Sequence, residues 1–431
     1  MSTPTESTPI APVADAEPTG GFRALVGRNV RQSGMLVALL IAVVFFQLTT
    51  GGVMLKSLNV TNIFLQNGYI LVMALGMLLI IVIGNIDLSV GSVAGFLGAV
   101  AAILMVKVGL DPILAVLLTL VAGGVIGVWQ GFWVAYLRVP SFIVTLAGML
   151  LFRGATLWIL GGQPVGPFAE SFRAISSGFI PEVIGTFGDP FGGAEIALLT
   201  VGKWALVIPL GGGPLNLTTL LLGAVLSAVL VLLTWRARAE QVKYGFSVPS
   251  LRQFWLRNAL VIVGIMFVAY RLAGYKGLPM VALIAFILIA FYMFLTTRPV
   301  LGRRIYAVGG NAKAAMLSGV NSKRMVFLTF VNMGVLAALG GLIISARLNS
   351  ATPNSGYGFE LDIIAATFVG GASAYGGVGT VAGTVIGALF FGVLNIGMGT
   401  MSIPIDYQFA IKALVLLVAV YFDVRSKNKE G

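Results

Sequence analysis

Long apolar stretches dominate the chain, and polar residues cluster between them. The runs are about 17 to 25 residues long, the length that a helix rising 1.5 Å per residue needs to cross a hydrocarbon core of about 30 Å. Runs such as 71–83 and 220–233 are apolar on nearly all faces, whereas a membrane β-strand would alternate apolar and polar positions. The pattern therefore predicts an all-α, polytopic transmembrane helical bundle.

Twelve segments fit this pattern, and the weakest of them is interrupted by glycines. They are 34–54, 62–84, 90–108, 112–137, 142–160, 216–235, 258–274, 278–297, 325–345, 361–375, 378–399 and 408–424. The sequence GGASAYGGVG breaks the segment 361–375, so we predict a broken or re-entrant helix there, within a bundle of about 10 to 12 spans. Non-helical backbone at membrane depth must be covered by protein or water, so this segment should face the interior.

The composition agrees with a membrane protein and narrows its chemistry. Hydrophobic residues make up 58% of the chain and charged residues 10%, against about 25% charged residues in soluble domains. The chain has no cysteine and no histidine, which excludes disulfides, thiolate metal sites and imidazole bases. A membrane-embedded enzyme is therefore disfavoured, because no convergent acid cluster replaces these groups.

The distribution of positive charge predicts the orientation. The net charge of +12 would suggest nucleic acid in a soluble protein, but here 18 of the 27 Lys and Arg residues fall on one side of the predicted spans, seven on the other and two within spans. This bias predicts no nucleic-acid partner and cytoplasmic termini. The first apolar run begins only after Arg23, Arg28 and Arg31, so we expect an uncleaved first span rather than a signal peptide. The predicted regions are a disordered tail (1–31), the transmembrane domain (32–424) with a periplasmic loop (161–214) and a cytoplasmic loop (298–324), and a tail (425–431).

The cytoplasmic loop 298–324 contains a predicted short helix. Asn311 can cap a helix over 312–318, with Gly319 as its left-handed end and the flexible pair Gly309 and Gly310 before it. Its apolar members are expected to be exposed: they are Ala314, Ala315, Met316 and Leu317. Such a helix, flanked by basic residues, suits insertion into a cleft on a cytoplasmic partner, but a solvated connecting loop would have the same composition.

Four motifs, in order, resemble one family of transport proteins. They are GNIDLSVGS (84–92), VPSFIVTLAGMLLFRG (139–154), GRRIYAVGGNAKAAMLSGV (302–320) and ELDIIAATFVGGASAYGGVGTVAGTVIGAL (360–389). The sequence is similar to the permease subunits of bacterial ABC sugar importers, in the ribose, xylose and branched-chain amino-acid permease group. The long stretch 161–276 makes it most similar to xylose and multiple-monosaccharide permeases rather than to the shorter ribose permeases.

This resemblance implies a division of labour between several subunits. It implies a homodimer of permeases in the bacterial inner membrane, a cytoplasmic ABC ATPase, a periplasmic sugar-binding protein and contact with membrane lipid. The chain has no GxxxxGK[ST] phosphate loop, so we expect no cofactor and no enzymatic activity of its own. The residues expected to couple to the ATPase are Gly302, Arg303, Tyr306, Gly309, Gly310, Asn311, Ala314, Ala315, Ser318 and Gly319. The loop 161–214, with Glu170, Arg173, Glu182, Asp189 and Glu195, could dock the binding protein.

Polar residues within or beside the spans are the remaining candidates for function. Asn85, Asp87 and Ser89 could line a translocation path, but they could equally cap the helix that begins near Val90. Glu360 and Asp362 are further candidates for the path. They and Asp87 are also the acids that an alternative, ion-coupled secondary carrier would use.

Two cations fall inside predicted spans. Arg153 is too deep to reach the membrane surface, so we expect it to pair with backbone carbonyls or a carboxylate and to pin the bundle, although sugar contact is possible. Lys412 lies near the end of its span and is expected to snorkel to the surface.

Overall fold

The computed structural model describes residues 30–188, 190, 195–201, 204–209, 213–246, 248 and 250–427. The helices are α1 (Val30–Thr49), α2 (Ser57–Val82), α3 (Val90–Ala102, continued as a π-helix over Ile103–Lys107), α4 (Pro112–Ala135), α5 (Ser141–Leu160), α6 (Glu170–Ser177), α7 (Leu217–Lys243), α8 (Leu251–Ala273), α9 (Met280–Thr297), α10 (Val300–Gly310), α11 (Ala312–Leu317), α12 (Ser322–Leu348), α13 (Phe359–Val369), α14 (Val381–Thr400) and α15 (Ile405–Lys427). Most of the two predicted tails lies outside the described residues, so their boundaries stay predictions.

The all-α membrane fold is confirmed. Within the described part of the chain, nine helices are long and apolar enough to cross a membrane: α2, α3 with its π-helical end, α4, α5, α7, α8, α9, α12 and α14. Of the other predicted spans, 34–54 corresponds to α1, 361–375 to α13 and 408–424 to α15.

α2 forms the centre of the bundle. Almost all of its residues from Asn67 to Val82 are buried, because α12, α13 and α14 pack around it. α4 lies closest against α12, where a Cβ on Gly127 would overlap the backbone of Phe330 and one on Gly334 would overlap the backbone of Gly123. The glycine spacing of α4 therefore permits a close helix crossing, as the small-residue rule for membrane helices predicts.

The bundle has two distinct ends. α10 and α11 lie at one end, the α11 end, where the backbone of Gly309 contacts that of Val82 at the end of α2. α6 and the strands lie at the other, the α6 end, where Lys56 beside the start of α2 pairs with Glu195 at 3.5 Å. α12 runs from the α11 end to the α6 end.

The segment that the sequence predicted to be broken is broken. α13 has 11 residues and rises about 16 Å, half the thickness of a hydrocarbon core of about 30 Å. It begins in the interior, where Gly356 and Glu360 contact Gly91 at the start of α3. Residues 370–380 continue without helix to the α11 end, where the Gly377 amide donates to the Val82 carbonyl at 2.8 Å.

The predicted loop 161–214 contains structure that the sequence did not indicate. Besides α6 it holds β1 (Thr186–Phe187), which pairs antiparallel with β4 (Leu215–Asn216) just after the loop, and β2 (Glu195–Val201), which pairs antiparallel with β3 (Trp204–Pro209). Two of its five charged candidates for docking, Glu182 and Glu195, instead make contacts within the chain, to the Thr218 hydroxyl at 2.6 Å and to Lys56. Asp189 lies outside the described residues.

Candidate functional site

α10 is anchored firmly to the bundle at the α11 end. The Tyr306 hydroxyl donates to the Gly379 carbonyl at 2.8 Å, and glycine at 302 and 309 allows close backbone contact with Leu295 and Val82. Gly309 and Gly310 were predicted to be a flexible pair, but they form the last turn of α10. Arg303 and Gly310 are exposed on the same helix.

α11 is the short capped helix that the sequence predicted, over Ala312–Leu317. The Asn311 side chain accepts from the Ala314 amide at 3.0 Å, the Ser318 hydroxyl donates to the Ala314 carbonyl, and Gly319 has a φ of +80°. Ala314 is exposed, as predicted. The prediction for Ala315 is wrong: this residue is buried, because it is on the face of α11 that packs on the bundle.

The exposed surface of α11 consists of its next two apolar residues. Met316 is 62% exposed and Leu317 is 87% exposed. Two large apolar side chains on a rigidly capped helix are suited to contact with another protein. The coupling role of residues 302–319 remains a prediction.

A first polar cluster lies in the interior before α3. The Asp87 carboxylate accepts from the amide and hydroxyl of Ser89 at 2.8 and 2.6 Å, and the Gln130 side chain donates to the Ser89 hydroxyl at 2.6 Å. All three side chains are buried. Asp87 thus orders the turn into α3, but Ser89, the N-cap residue of this helix, makes no side-chain capping hydrogen bond. Asn85 is half-buried just after the end of α2.

A second cluster joins α5, α3 and α13. Arg153 donates to Glu360 at 3.0 Å and to the Ser92 hydroxyl at 3.1 Å, and its guanidinium lies 4.8 Å from the centre of the Tyr357 ring. The predicted carboxylate partner of Arg153 is therefore Glu360, a residue that the sequence proposed for the path instead. The ion pair ties two helices together across 207 positions of the chain.

A third cluster joins α13, α15, α14 and α2. Lys412 donates to Asp362 at 2.9 Å, Asn395 lies 3.4 Å from the same carboxylate, and Asn395 donates to Asn67 at 2.8 Å. The prediction that Lys412 snorkels is wrong: its side chain is 14% exposed, because Asp362 holds it inside the bundle. Lys412 is thus more deeply buried than Arg153, whose side chain is 32% exposed.

The third cluster forms the floor of a cavity of about 420 Å³. Aromatic rings from α13, its preceding loop and α15 form part of the wall: they are Tyr357, Phe359 and Phe409. Exposed residues in the last turns of α12 and α14, among them Arg347, Leu348 and Gly399, form a rim toward the α6 end. We call this the interior cavity.

The structure separates four of the five path residues proposed from sequence into three places, and Asn85 belongs to none of them. Asp87 and Ser89 share one cluster, Glu360 belongs to the second, and only Asp362 lines the interior cavity. Sequence reasoning missed Asn67 and Asn395. Asn395 is an isolated amide in an apolar helix, which was an available signal, whereas Asn67 follows Gln66 in the polar first half of α2 and gave none.

Comparison with known proteins assigns the chain to a transport family. A family model described as the permease component of branched-chain amino acid transport systems matches residues 59–235 and 192–420. The chain is 37% identical over 415 residues to the xylose transport system permease protein of Escherichia coli (strain K12), covering 96% of this chain and 97% of that protein. No solved structure gives a significant match.

Two further relatives cover most of the chain. The xylose transport system permease protein of Haemophilus influenzae is 36% identical over 395 residues, or 92% of this chain and 96% of that protein. The ribose import permease protein of Escherichia coli (strain K12) is 35% identical over 366 residues, or 85% of each chain. The chain therefore belongs to the permease component family of the branched-chain amino acid transport systems.

Proposed function

We propose that this chain is the membrane-spanning permease subunit of an ATP-driven bacterial sugar importer, in which a separate ATPase supplies the energy. The observation that carries the proposal is the surface of α11, where Met316 and Leu317 are exposed on a capped helix that follows α10 directly. Because Tyr306 and Gly309 hold α10 against the bundle, a partner seated on α11 would act on the spans themselves.

The proposed substrate is a monosaccharide, either xylose or several sugars. Two lines support this: xylose and ribose permease proteins match along most of the chain, and the interior contains polar side chains that suit hydroxyl groups. In this proposal a periplasmic binding protein delivers the sugar at the α6 end, and two copies of the permease form a homodimer surrounded by lipid.

The proposed orientation places both termini and the α11 end in the cytoplasm of an inner membrane. The support is the partition of Lys and Arg, of which 18 lie on that side of the predicted spans and seven on the other. The α6 end, with its short sheets, would then face the periplasm.

An ion-coupled carrier is less well supported by the geometry. Such a carrier needs a carboxylate available to a proton or a sodium ion. Glu360 is paired with Arg153 and Asp362 with Lys412, and Asp87 is engaged by Ser89. Each candidate acid therefore already has a structural partner.

Reconstitution in proteoliposomes tests the proposal. The purified chain is combined with the ATPase and the binding protein encoded with it, and uptake of labelled xylose is measured with and without ATP. We expect uptake that requires ATP and both partners and that persists when ionophores collapse ion gradients. Uptake by the chain alone, driven by an imposed ion gradient, would refute the proposal and support the secondary carrier.

A further inference from the structure

We propose that the interior cavity is a binding site for one uncharged monosaccharide within a single permease subunit, with Asn67, Asn395 and Asp362 as its hydrogen-bonding floor. This inference rests on the proposed function, and it adds a place inside the membrane domain where the substrate is recognised. The cavity volume of about 420 Å³ is within the range of about 300 to 1,000 Å³ that is typical of small-molecule sites.

The floor of the cavity has unused hydrogen-bonding capacity. Asn67 is 3% exposed, yet its side-chain NH₂ group has no partner in the described part of the chain, and the same holds for the side-chain oxygen of Asn395. A buried polar atom without a partner costs about 1 to 3 kcal/mol, so such atoms are normally satisfied by a ligand or by water. Both atoms have almost no accessible surface, so a sugar hydroxyl, which both donates and accepts, would pair with them once the two amide groups turn toward the cavity.

The walls of the cavity are partly aromatic and suit the apolar C–H face of a sugar ring. The rings of Tyr69 and Phe359 lie 4.4 Å apart at their centres, and Phe409 lies on the opposing helix beside Lys412. A pyranose ring presents C–H groups on one face and hydroxyls at its edge, so it can pack on aromatic carbon while its hydroxyls reach the amides. Small-molecule sites commonly combine an apolar wall with a few placed polar groups in this way.

The charges of the cavity favour a ligand without charge. The deep carboxylate of Asp362 is neutralised by Lys412 at 2.9 Å, so the floor offers neither an unpaired anion nor an unpaired cation. The remaining cation, Arg347, is exposed at the rim, where its side chain donates to the Gln66 carbonyl at 3.4 Å. A charged ligand on the floor would have to lose its hydration without a free counterion, which is costly in a low-dielectric interior.

The position of the cavity also fits import. Its rim is formed by the last turns of α12 and α14 at the α6 end, the end at which the proposed binding protein would release its sugar. Tyr357 in the cavity wall contacts the Arg153 guanidinium, so the second cluster borders the cavity. A zwitterionic amino acid is the competing ligand, because its two charges could exchange with the Asp362–Lys412 pair.

The test compares Asn395→Leu with a matched control, Asn258→Leu. Asn258 is also a buried amide, bonded to the Thr234 hydroxyl at 3.0 Å, but it lies in the α7–α8 hairpin away from the cavity. Both variants are reconstituted with the ATPase and binding protein, and we measure uptake of xylose, of its epimers and of leucine, together with ATP hydrolysis stimulated by the binding protein.

For Asn395→Leu we expect xylose uptake to fall about tenfold or more, the equivalent of one or two hydrogen bonds, while stimulated ATP hydrolysis persists. Asn258→Leu should transport at the wild-type rate. Asn395→Gln, which keeps the amide but lengthens the side chain, should shift the preference among xylose and its epimers. If Asn395→Leu fails to assemble, Asn395→Gln still tests the role of this side chain in sugar binding.

The outcomes separate the two proposals. If the wild-type complex transports no sugar at all, the proposed function fails. If it transports xylose but both Asn395 variants transport it at the wild-type rate with unchanged preference, the cavity is not the site, although the proposed function stands. If the variants impair only leucine uptake, the ligand is a zwitterion and the inference of an uncharged monosaccharide is overturned.

Discussion

Lys412 of α15 and Asp362 of α13 form an ion pair of 2.9 Å inside the bundle, with side chains only 14% and 5% exposed. The pair connects the half-length helix α13 to the last helix of the chain. A charge at this depth is tolerated because its partner is present, so the two residues must be considered together.

We predict that Lys412→Met destabilises the protein more than Arg153→Met. Removing one member of a well-buried pair leaves an uncompensated charge and costs about 3 to 5 kcal/mol, whereas the Arg153 side chain is 32% exposed, so solvent screens its pair with Glu360 and its removal should cost less. The measurement is thermal unfolding of both variants in lipid nanodiscs. The double variant Lys412→Met with Asp362→Asn should recover much of the lost stability. A larger loss of stability for Arg153→Met than for Lys412→Met would contradict the prediction that the more buried pair contributes more.

A second prediction concerns the contact with the ATPase. Leu317→Glu should leave expression and insertion intact but reduce co-purification of the ATPase and uptake at least tenfold, because an 87% exposed leucine contributes little to folding. Lys313→Ala should be mild, since an exposed ion pair is typically worth under about 1 kcal/mol.

The matched control for Leu317→Glu is Val183→Glu, the same kind of change at a side chain 79% exposed at the α6 end. It should leave ATPase binding unchanged. Wild-type ATPase binding by the Leu317→Glu variant would show that α11 is only part of a connecting loop. Ala315→Trp is not a clean probe of docking, because Ala315 is buried against the bundle.

Substitution of two adjacent glycines tests whether close backbone contact holds α10 against the bundle. A Cβ on Gly309 would overlap the Val82 carbonyl, whereas one on Gly310 would meet nothing within 4 Å. We expect Gly309→Ala to lower the melting temperature and uptake, and Gly310→Ala to be neutral or stabilising by up to about 1 kcal/mol, the helix propensity difference. Equal melting temperatures for the two variants would show that the close contact at Gly309 does not contribute to the stability of the protein.

The orientation can be tested directly because the chain has no cysteine. A cysteine at Lys313 should be labelled by an impermeant maleimide only after the membrane is opened, and a cysteine at the exposed Glu170 of α6 should be labelled in intact spheroplasts. The reverse pattern would invert the assignment and place the α11 end outside.

The features that could be predicted from sequence depend on residues that are close to one another along the chain. The Asn311 cap and the Gly319 end of α11 involve residues within one helix, and the break in 361–375 follows from local glycines. The pairs Lys412–Asp362 and Arg153–Glu360 could not be predicted, because their members are 50 and 207 positions apart and meet only once α13 has its place among α3, α5 and α15. For the same reason Ala315 looked exposed: its burial depends on which face of α11 lies against the bundle.

The contact of Gly309 with Val82 connects α10 to the end of α2. α2 is one uninterrupted helix, and it carries Val82 at the α11 end and Asn67 at the floor of the interior cavity. The two residues are separated by about 22 Å at a rise of 1.5 Å per residue. In the proposed importer, a displacement of α10 that moves the Val82 carbonyl would therefore be transmitted along α2 to Asn67 at the floor of the interior cavity.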